Sequence, residues 1–206
     1  NVVRAWTFSE ATCAATGSAT HWDRAKSVAR LLWEIDAEDE TLAAGLIAET
    51  LDAGHHDWKP IGEAFGLETL AIVQGVHRAS RVDKVHAQAD SGTNIEVMRK
   101  MLLALADDVR VVLILLAARV VHLRGLTRAA DADRRAAAAL TRDLYAPLAN
   151  RLGVFQIKWE LEDFAFRFLE PDLYRRIAGY LDGKRSEREA WISNVVEDLR
   201  MALQAV

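Results

Sequence analysis

The sequence predicts an all-α protein, and three observations lead to that prediction. Apolar residues recur at helical spacing along most of the 206 residues, no stretch alternates convincingly as a strand would, and only 3 prolines interrupt the chain. Hydrophobic residues make up 51% of the sequence, which is enough for a buried core and excludes bulk disorder. A globular, multi-helix protein is therefore expected rather than a coiled coil.

The first half of the chain predicts a series of helices separated by short breaks. The acidic residues among 36–40 predict the start of a helix, because negative charge is favoured at a helix N-terminus. Gly54 and Gly66 are placed to end helices, and Pro60 suits a first turn. The polar stretch 80–93 has no apolar period and predicts a loop or a frayed helix end. The predicted helical segments are 28–35, 42–51, 60–66, 67–76 and 94–106.

The second half predicts one central helix followed by more peripheral ones. Residues 109–126 are apolar on nearly every side, which is typical of a helix surrounded by others, and Asp107 and Asp108 supply its cap. Pro147 is expected to kink or break an alanine-rich helix that Gly153 ends. The predicted segments are 128–152, 159–169 and 171–203.

Composition narrows the function classes without selecting one. The single cysteine, Cys13, excludes an internal disulfide framework and a cysteine-based zinc site, and it favours a reducing, cytoplasmic setting. The net charge of −4 does not favour nucleic acid. The most apolar run, 109–121, contains Arg110 and Arg119 and is too short to span a bilayer. No targeting segment or Gly-rich phosphate loop is recognisable.

Neighbouring histidines give the first hint of a metal site, but the spacing is unfavourable. His55 and His56 precede Asp57, and adjacent residues on a helix do not share a face. The sequence there favours a polar turn.

Longer motifs are more informative. The segment Thr41–Gly54 resembles the metal-binding heart of the RelA/SpoT family, whose members make and destroy the alarmone (p)ppGpp. The resemblance continues at 99–114, and it is strongest at Tyr145-Ala-Pro-Leu-Ala-Asn-Arg-Leu-Gly153 and Lys158-Trp-Glu-Leu-Glu-Asp163. It covers nearly the whole chain and implies an HD-superfamily multi-helix domain, here at residues 1–153. Residues 154–206 are then connecting helices that lead to a synthetase domain.

The resemblance also implies that the family's manganese site is degenerate here. The first histidine ligand falls on Arg24, the His-Asp pair on Ala48 and Glu49, and the later aspartate on Ala118. The catalytic acidic pair falls on Asp52 and Ala53, and a later asparagine falls on His122. Alanine offers no ligand and arginine adds a fixed positive charge where the cation would sit. We therefore expect no catalytic residue, no metal and no cofactor in this domain.

Two alternatives for these residues remain open. A relocated metal site could use His21, Glu49, Asp52 and His122, because several of these share a helix face or lie one turn from a lost ligand. Otherwise Glu49 and Asp52 are expected to pair with Arg24 or Arg119 once the cation is gone.

A basic stretch and an aromatic cluster each have two interpretations. The arginines could recognise phosphate or a partner domain, but a solvated face paired with Asp131, Asp133 and Asp143 is the favoured interpretation. The aromatics Trp159, Phe164, Phe166 and Phe168 fit either an interdomain contact or ordinary core. The arginines are Arg119, Arg124, Arg128, Arg134, Arg135, Arg142 and Arg151.

The pattern as a whole resembles the RelA-type branch, in which a decayed hydrolase domain precedes an active synthetase. It implies an inactive regulatory pseudo-hydrolase domain of a GTP pyrophosphokinase that acts in the stringent response. The implied partners are the synthetase domain of the same chain, the ribosome through the full-length protein, and weakly bound guanine nucleotide, with no membrane. The alternatives are an active ppGpp 3′-pyrophosphohydrolase with a shifted metal site, and a helical interaction module that shares only the fold.

Overall fold

The computed structural model describes residues 1–51, 58–88 and 108–204, and every regular element within those ranges is helical. The all-α prediction is therefore confirmed. The helices are α1 (Val2–Thr16), α2 (Ala19–Glu34), α3 (Asp39–Thr50), α4 (Lys59–Gln88), α5 (Val109–Gly125), α6 (Asp131–Leu140), α7 (Ala146–Arg151), α8 (Phe155–Leu169) and α9 (Pro171–Gln204).

Helix α5 is the centre of the fold, as its all-round apolar sequence predicts. It packs on α2, α3 and α4 on one side and on α8 on the other. Its side chains Ile114, Leu116 and Leu123 are fully buried in one continuous core. Burial of these apolar side chains stabilises the fold, because the hydrophobic effect grows with the apolar area removed from water. Helix α5 therefore joins α2, α3 and α4 to α8.

The start of α5 is fixed by an ion-pair cluster. Asp108 is the N-cap and accepts a hydrogen bond from the Arg110 backbone N–H at 2.9 Å. The Arg110 guanidinium binds Asp108 at 2.6 Å and Glu68 of α4 at 2.7 Å, and it lies 3.8 Å from Glu38 beside α3. Hydrogen bonding to Arg110 lowers the pKa of the Asp108 carboxyl. The predicted cap is confirmed, and its arginine also ties three elements together.

Two segments, at the start of the chain and at the end of α4, differ from the predicted secondary structure. Helix α1 was not predicted, and it packs on α3 through the buried small residues Ala5, Ser9 and Cys13. Burial raises the pKa of the Cys13 thiol. Residues 80–88 continue α4 as helix, so the loop alternative is wrong there, whereas the alternative of a helix end agrees with the structure. The predicted helix 94–106 and the predicted helix end at Gly54 lie outside the described residues.

The glycine and proline breaks fall where the sequence places them. Gly66 has a φ of 88° inside α4 and separates two helical segments, and Gly153 has a φ of 72° between α7 and α8. Pro147 follows a five-residue π-turn, Thr141–Tyr145, which interrupts the predicted helix 128–152. Proline has no N–H to donate to the carbonyl of residue 143, which disfavours regular α-helical bonding at that point.

The last two helices differ in how far they are buried. Helix α8 begins four residues earlier than predicted and places Ile157, Leu161 and Phe168 in the core. Helix α9 packs on α8 through Tyr174, whose ring lies 5.7 Å from that of Phe166, while Ile177 and Trp191 are exposed. None of the described helices is long and apolar enough to cross a bilayer.

Candidate functional site

The candidate site is built from facing residues of α2 and α3. Helix α2 presents Arg24, and the last turn of α3 presents Glu49. Two guanidinium nitrogens of Arg24, Nε and Nη2, each lie 3.2 Å from Oε2 of Glu49. The Glu49 side chain is only 10% exposed, whereas that of Arg24 is 44% exposed. The expected pairing of the remaining carboxylate with Arg24 is confirmed for Glu49.

The other positions implied by the resemblance lie on α3 and α5 or outside the described residues. Ala48 and Ala118 are half-buried and pack against the core. His122 is half-buried on α5, one turn after Ala118, and makes its own contacts. Asp52 and Ala53 lie outside the described residues. The equivalence of these positions to a metal site remains a prediction.

A relocated metal site finds no support in the described part of the chain. Among those residues, no three histidine, cysteine, aspartate or glutamate side chains are grouped so that they could hold an ion. His21, Glu49 and His122 are all described, so these three do not form such a group. Asp52, the fourth member of the hypothesis, lies outside the described ranges.

Arg119 is not where the sequence interpretation placed it. It is 7% exposed, so it lies inside the molecule and not on a solvated basic face. Its Nε donates to Thr141 Oγ1 at 2.9 Å and its Nη2 donates to the Ala137 carbonyl at 2.7 Å. Its guanidinium carbon also lies 4.8 Å from the Tyr145 ring centroid. A cation on the buried face of a central helix must find such polar partners. The place of Arg119 within the apolar run 109–121 was the signal in the sequence that could have predicted its burial.

The rest of the basic stretch is largely balanced by acids. Asp131 binds both Arg134 and Arg135, and Asp143 binds Arg142. Arg124 makes a bidentate pair with Glu160 of α8, with contacts of 2.6 and 2.8 Å. These pairs support the interpretation as a solvated face, with Glu160 as an acid that the sequence did not single out.

A groove of about 440 Å³ runs between α7 and α8. Its floor is apolar and includes Ala146, Ala165 and Phe166, and its rims carry charges of both signs. The aromatic cluster is divided, since Phe168 is buried in the core while Trp159 is 64% exposed. The remaining lining residues are Arg142, Pro147, Asn150, Lys158, Glu162, Leu169 and Glu170.

The all-helical fold is consistent with a protein of the HD class, and comparison with known proteins shows that class. The HD domain family model matches residues 5–155. The chain is 36% identical over 185 residues to proteins named GTP pyrophosphokinase from Photobacterium angustum and from Escherichia coli K12. It is also 36% identical over 178 residues to a Synechocystis protein named probable guanosine-3′,5′-bis(diphosphate) 3′-pyrophosphohydrolase. The chain belongs to the RelA/SpoT family and carries its HD domain.

The matches cover most of this chain and a small part of its relatives. They include 88% of the chain but 25% of the Photobacterium and Escherichia proteins, and 86% of the chain but 23% of the Synechocystis protein. The chain thus spans about a quarter of the length of these multidomain relatives.

Proposed function

We propose that this chain is the catalytically inactive, regulatory pseudo-hydrolase domain of a (p)ppGpp synthetase. The observation that carries the proposal is the ion pair between Arg24 and Glu49. The resemblance implies that active family members have a histidine ligand at the position of Arg24 and an aspartate ligand at the position of Glu49. Here a fixed guanidinium neutralises the carboxylate that would otherwise attract a metal ion.

The chemistry of hydrolysis makes this replacement decisive. A hydrolytic metal must be held by several ligands and must lower the pKa of a bound water. The half-buried methyl groups of Ala48 and Ala118 supply no ligand. Arg24 repels a divalent cation at the position where binding would begin, because arginine stays protonated at all physiological pH values. No resident metal or cofactor is therefore part of the proposal.

The regulatory part of the proposal rests on two surfaces. The groove between α7 and α8 has an apolar floor and rims of both charge signs, which suits an amphipathic helix of a neighbouring domain. Helix α9 follows directly and exposes Ile177, Leu181 and Trp191. Because the match includes only 25% of the Photobacterium relative, we propose that these surfaces contact the synthetase domain of the same protein. A cytoplasmic location, contact with the ribosome through the full-length protein, and weak binding of guanine nucleotide belong to the same proposal.

One observation favours a second candidate, an active hydrolase. The Synechocystis relative carries a hydrolase name at the same 36% identity. Such an enzyme would need a relocated site from His21, Glu49, Asp52 and His122. The pairing of Glu49 with Arg24 opposes it, since the carboxylate is already neutralised. The third candidate, a helical interaction module without any link to a synthetase, keeps the groove but predicts no effect on nucleotide chemistry.

A hydrolysis assay distinguishes the first two candidates. The purified chain is incubated with ppGpp and Mn²⁺, and the equivalent fragment of the Synechocystis relative is assayed in parallel. We expect pyrophosphate release at the rate of the no-protein control and no stoichiometric manganese by mass spectrometry. Manganese-dependent turnover well above that control would contradict the pseudo-enzyme proposal.

The regulatory role is tested in a longer chain that carries a synthetase domain. Phe166→Ala removes part of the apolar floor of the groove at a half-buried position, and Glu63→Ala changes an exposed residue of α4 as the control. We expect the groove variant, and not the control, to change the rate of pyrophosphate transfer from ATP. Equal rates in both variants would favour the interaction module or would show that the groove is not the contact surface.

A further inference from the structure

The five-residue π-turn between α6 and α7 sets the direction in which α7 faces. The N–H of Ala146 donates to the carbonyl of Thr141, five residues back, instead of four. Such wide turns are rare in proteins, and those that occur are often found at functional sites. One additional residue in a turn rotates everything after it by about 100° relative to an uninterrupted α-helix. The side chains of α7 therefore point where they do because of this turn.

The buried Arg119 contacts one residue before the turn and the first and last residues of the turn. Ala137 and Thr141 lie before the additional residue, and Arg119 donates a hydrogen bond to each of them. Tyr145 lies at the end of the turn, with its ring 4.8 Å from the guanidinium carbon. The Thr141 hydroxyl donates to the Ala137 carbonyl at 2.8 Å, so that the three groups form one connected set. A change of register would move Tyr145 away from Arg119 while Ala137 stayed in place.

The register of α7 in turn determines the groove. Four of the residues that line it, Arg142, Ala146, Pro147 and Asn150, belong to the π-turn and α7. The facing wall comes from α8, which Arg124 of α5 holds through Glu160. A rotation of α7 by one residue would turn Ala146 and Pro147 away from the floor and change the shape of the groove.

We propose that Arg119 is a positioning residue that fixes the register of the π-turn and thereby the shape of the groove between α7 and α8. It acts from α5, so that a residue of the central helix sets the shape of a groove between two other helices. The shape of the groove can be measured in this chain alone. The test of this proposal is therefore independent of whether a synthetase domain docks in the groove.

The test compares Arg119→Met, which keeps the volume but removes the donors, with Arg30→Met at an exposed arginine of α2. Crystal structures report the register, and hydrogen exchange compares peptides from 141–152 with peptides from 111–117 in the centre of α5. We expect the π-turn to be lost in Arg119→Met, and exchange in 141–152 to rise about tenfold relative to 111–117, since local opening has its own free energy. Arg119→Lys, which keeps the charge without the planar fork, is expected to lie between Arg119→Met and the parent.

Two results would overturn the proposal. One is a retained π-turn in Arg119→Met with unchanged relative exchange. The other is equally increased exchange in both segments, which would show that Arg119 contributes only to global stability. If Arg119→Met does not fold, Thr141→Val decides, because it removes the acceptor of Arg119 Nε with little change in volume. We expect a smaller but selective increase in exchange at 141–152, and no selective increase overturns the proposal.

Discussion

Replacement of Arg24 by alanine would leave the carboxylate of Glu49 without its cation in a largely buried position. We expect Arg24→Ala to lower the free energy of unfolding by about 1 to 2 kcal/mol, because a buried charged group that loses its partner carries a desolvation cost. The value lies in the lower part of the usual range for such losses because Arg24 itself is 44% exposed. Denaturant unfolding at pH 7 measures it.

The matched control is Arg30→Ala on the same helix. Arg30 is 79% exposed and pairs with Glu34 one turn away at 2.9 Å. Surface pairs at this spacing contribute about 0.3 to 0.5 kcal/mol. Equal losses in the two variants would mean that Arg24 is an ordinary surface arginine and that Glu49 does not depend on it as a counter-charge.

The residue-level predictions succeeded where chemistry, rather than periodicity, identified the partners. Glu49 was expected to find a cation because the implied metal ligands around it are absent, and Arg24 is that cation. The burial of Arg119 was missed because the run of arginines after it suggested a solvated face. Its position on an apolar central helix was the better guide, since a charge there must find polar partners inside the fold.

At the level of helices, the Asp108 cap links stability to pH. Its pKa is lowered in the folded state, chiefly by the hydrogen bond from Arg110. A lowered folded pKa contributes stability that is present above the unfolded value of about 3.9 and is lost as the pH falls through the folded value. Asp108→Asn keeps a capping side chain and removes the charge, so the variant is expected to be less stable at pH 7 and to approach the parent below about pH 4.

The measurement is the difference in unfolding free energy between the parent and Asp108→Asn from pH 7 down to acid. Asp108→Ala loses the cap as well and should cost about 0.5 to 2 kcal/mol in total at pH 7. A difference between parent and Asp108→Asn that stays constant across this range would show that the charge of Asp108 does not stabilise the start of α5.

Close packing of helices is tested by two glycine substitutions. A Cβ on Gly75 of α4 would lie 2.6 Å from Val111 Cγ2 of α5, whereas a Cβ on Gly179 of α9 would meet nothing within 4 Å. Gly75→Ala is expected to cost about 1 to 3 kcal/mol by overpacking, offset in part by the better helix propensity of alanine. Gly179→Ala causes no overpacking, so only the better helix propensity of alanine acts. It should leave the free energy of unfolding unchanged or raise it by up to about 1 kcal/mol. Thermal unfolding of both variants checks the sign of each change, and stabilisation by Gly75→Ala would contradict the close approach.

Most helices could be predicted because their buried faces consist of large apolar residues, as in α5 with Ile114 and Leu116. Helix α1 could not, because it buries Ala5, Ser9 and Cys13, whose small or polar side chains give no apolar period. Residues 80–88 also lack that period, yet extension of an existing helix adds one hydrogen bond per residue without a new nucleus. Pro147 predicted a break but not a π-turn, since the form of the break depends on Arg119 from another helix.

At the scale of the whole molecule, one core unites the HD domain with the first of the following helices. Ile157, Leu161 and Phe168 of α8 belong to the same buried cluster as α5, although the resemblance predicts connecting helices from residue 154 onwards. Helix α9 lacks such burial in its first turns, where Leu173, Ile177 and Leu181 are all exposed. The buried core therefore extends through α8, whereas the first turns of α9 leave these three apolar side chains exposed.

Two aliphatic truncations test where the stable domain ends. Leu161→Ala on α8 removes a side chain that is fully buried and should cost about 2 to 5 kcal/mol. Ile177→Ala on α9 removes one that is 40% exposed and lies outside the core cluster, and the change should stay within about 0.5 kcal/mol. Denaturant unfolding of this chain measures both, and the same variants in a longer chain with a synthetase domain provide the second arm. There Ile177→Ala is expected to become destabilising, because the exposed face of α9 would then be covered. A cost for Ile177→Ala in the isolated chain close to that for Leu161→Ala would mean that α9 is already packed on the body of the domain and is not available to a partner.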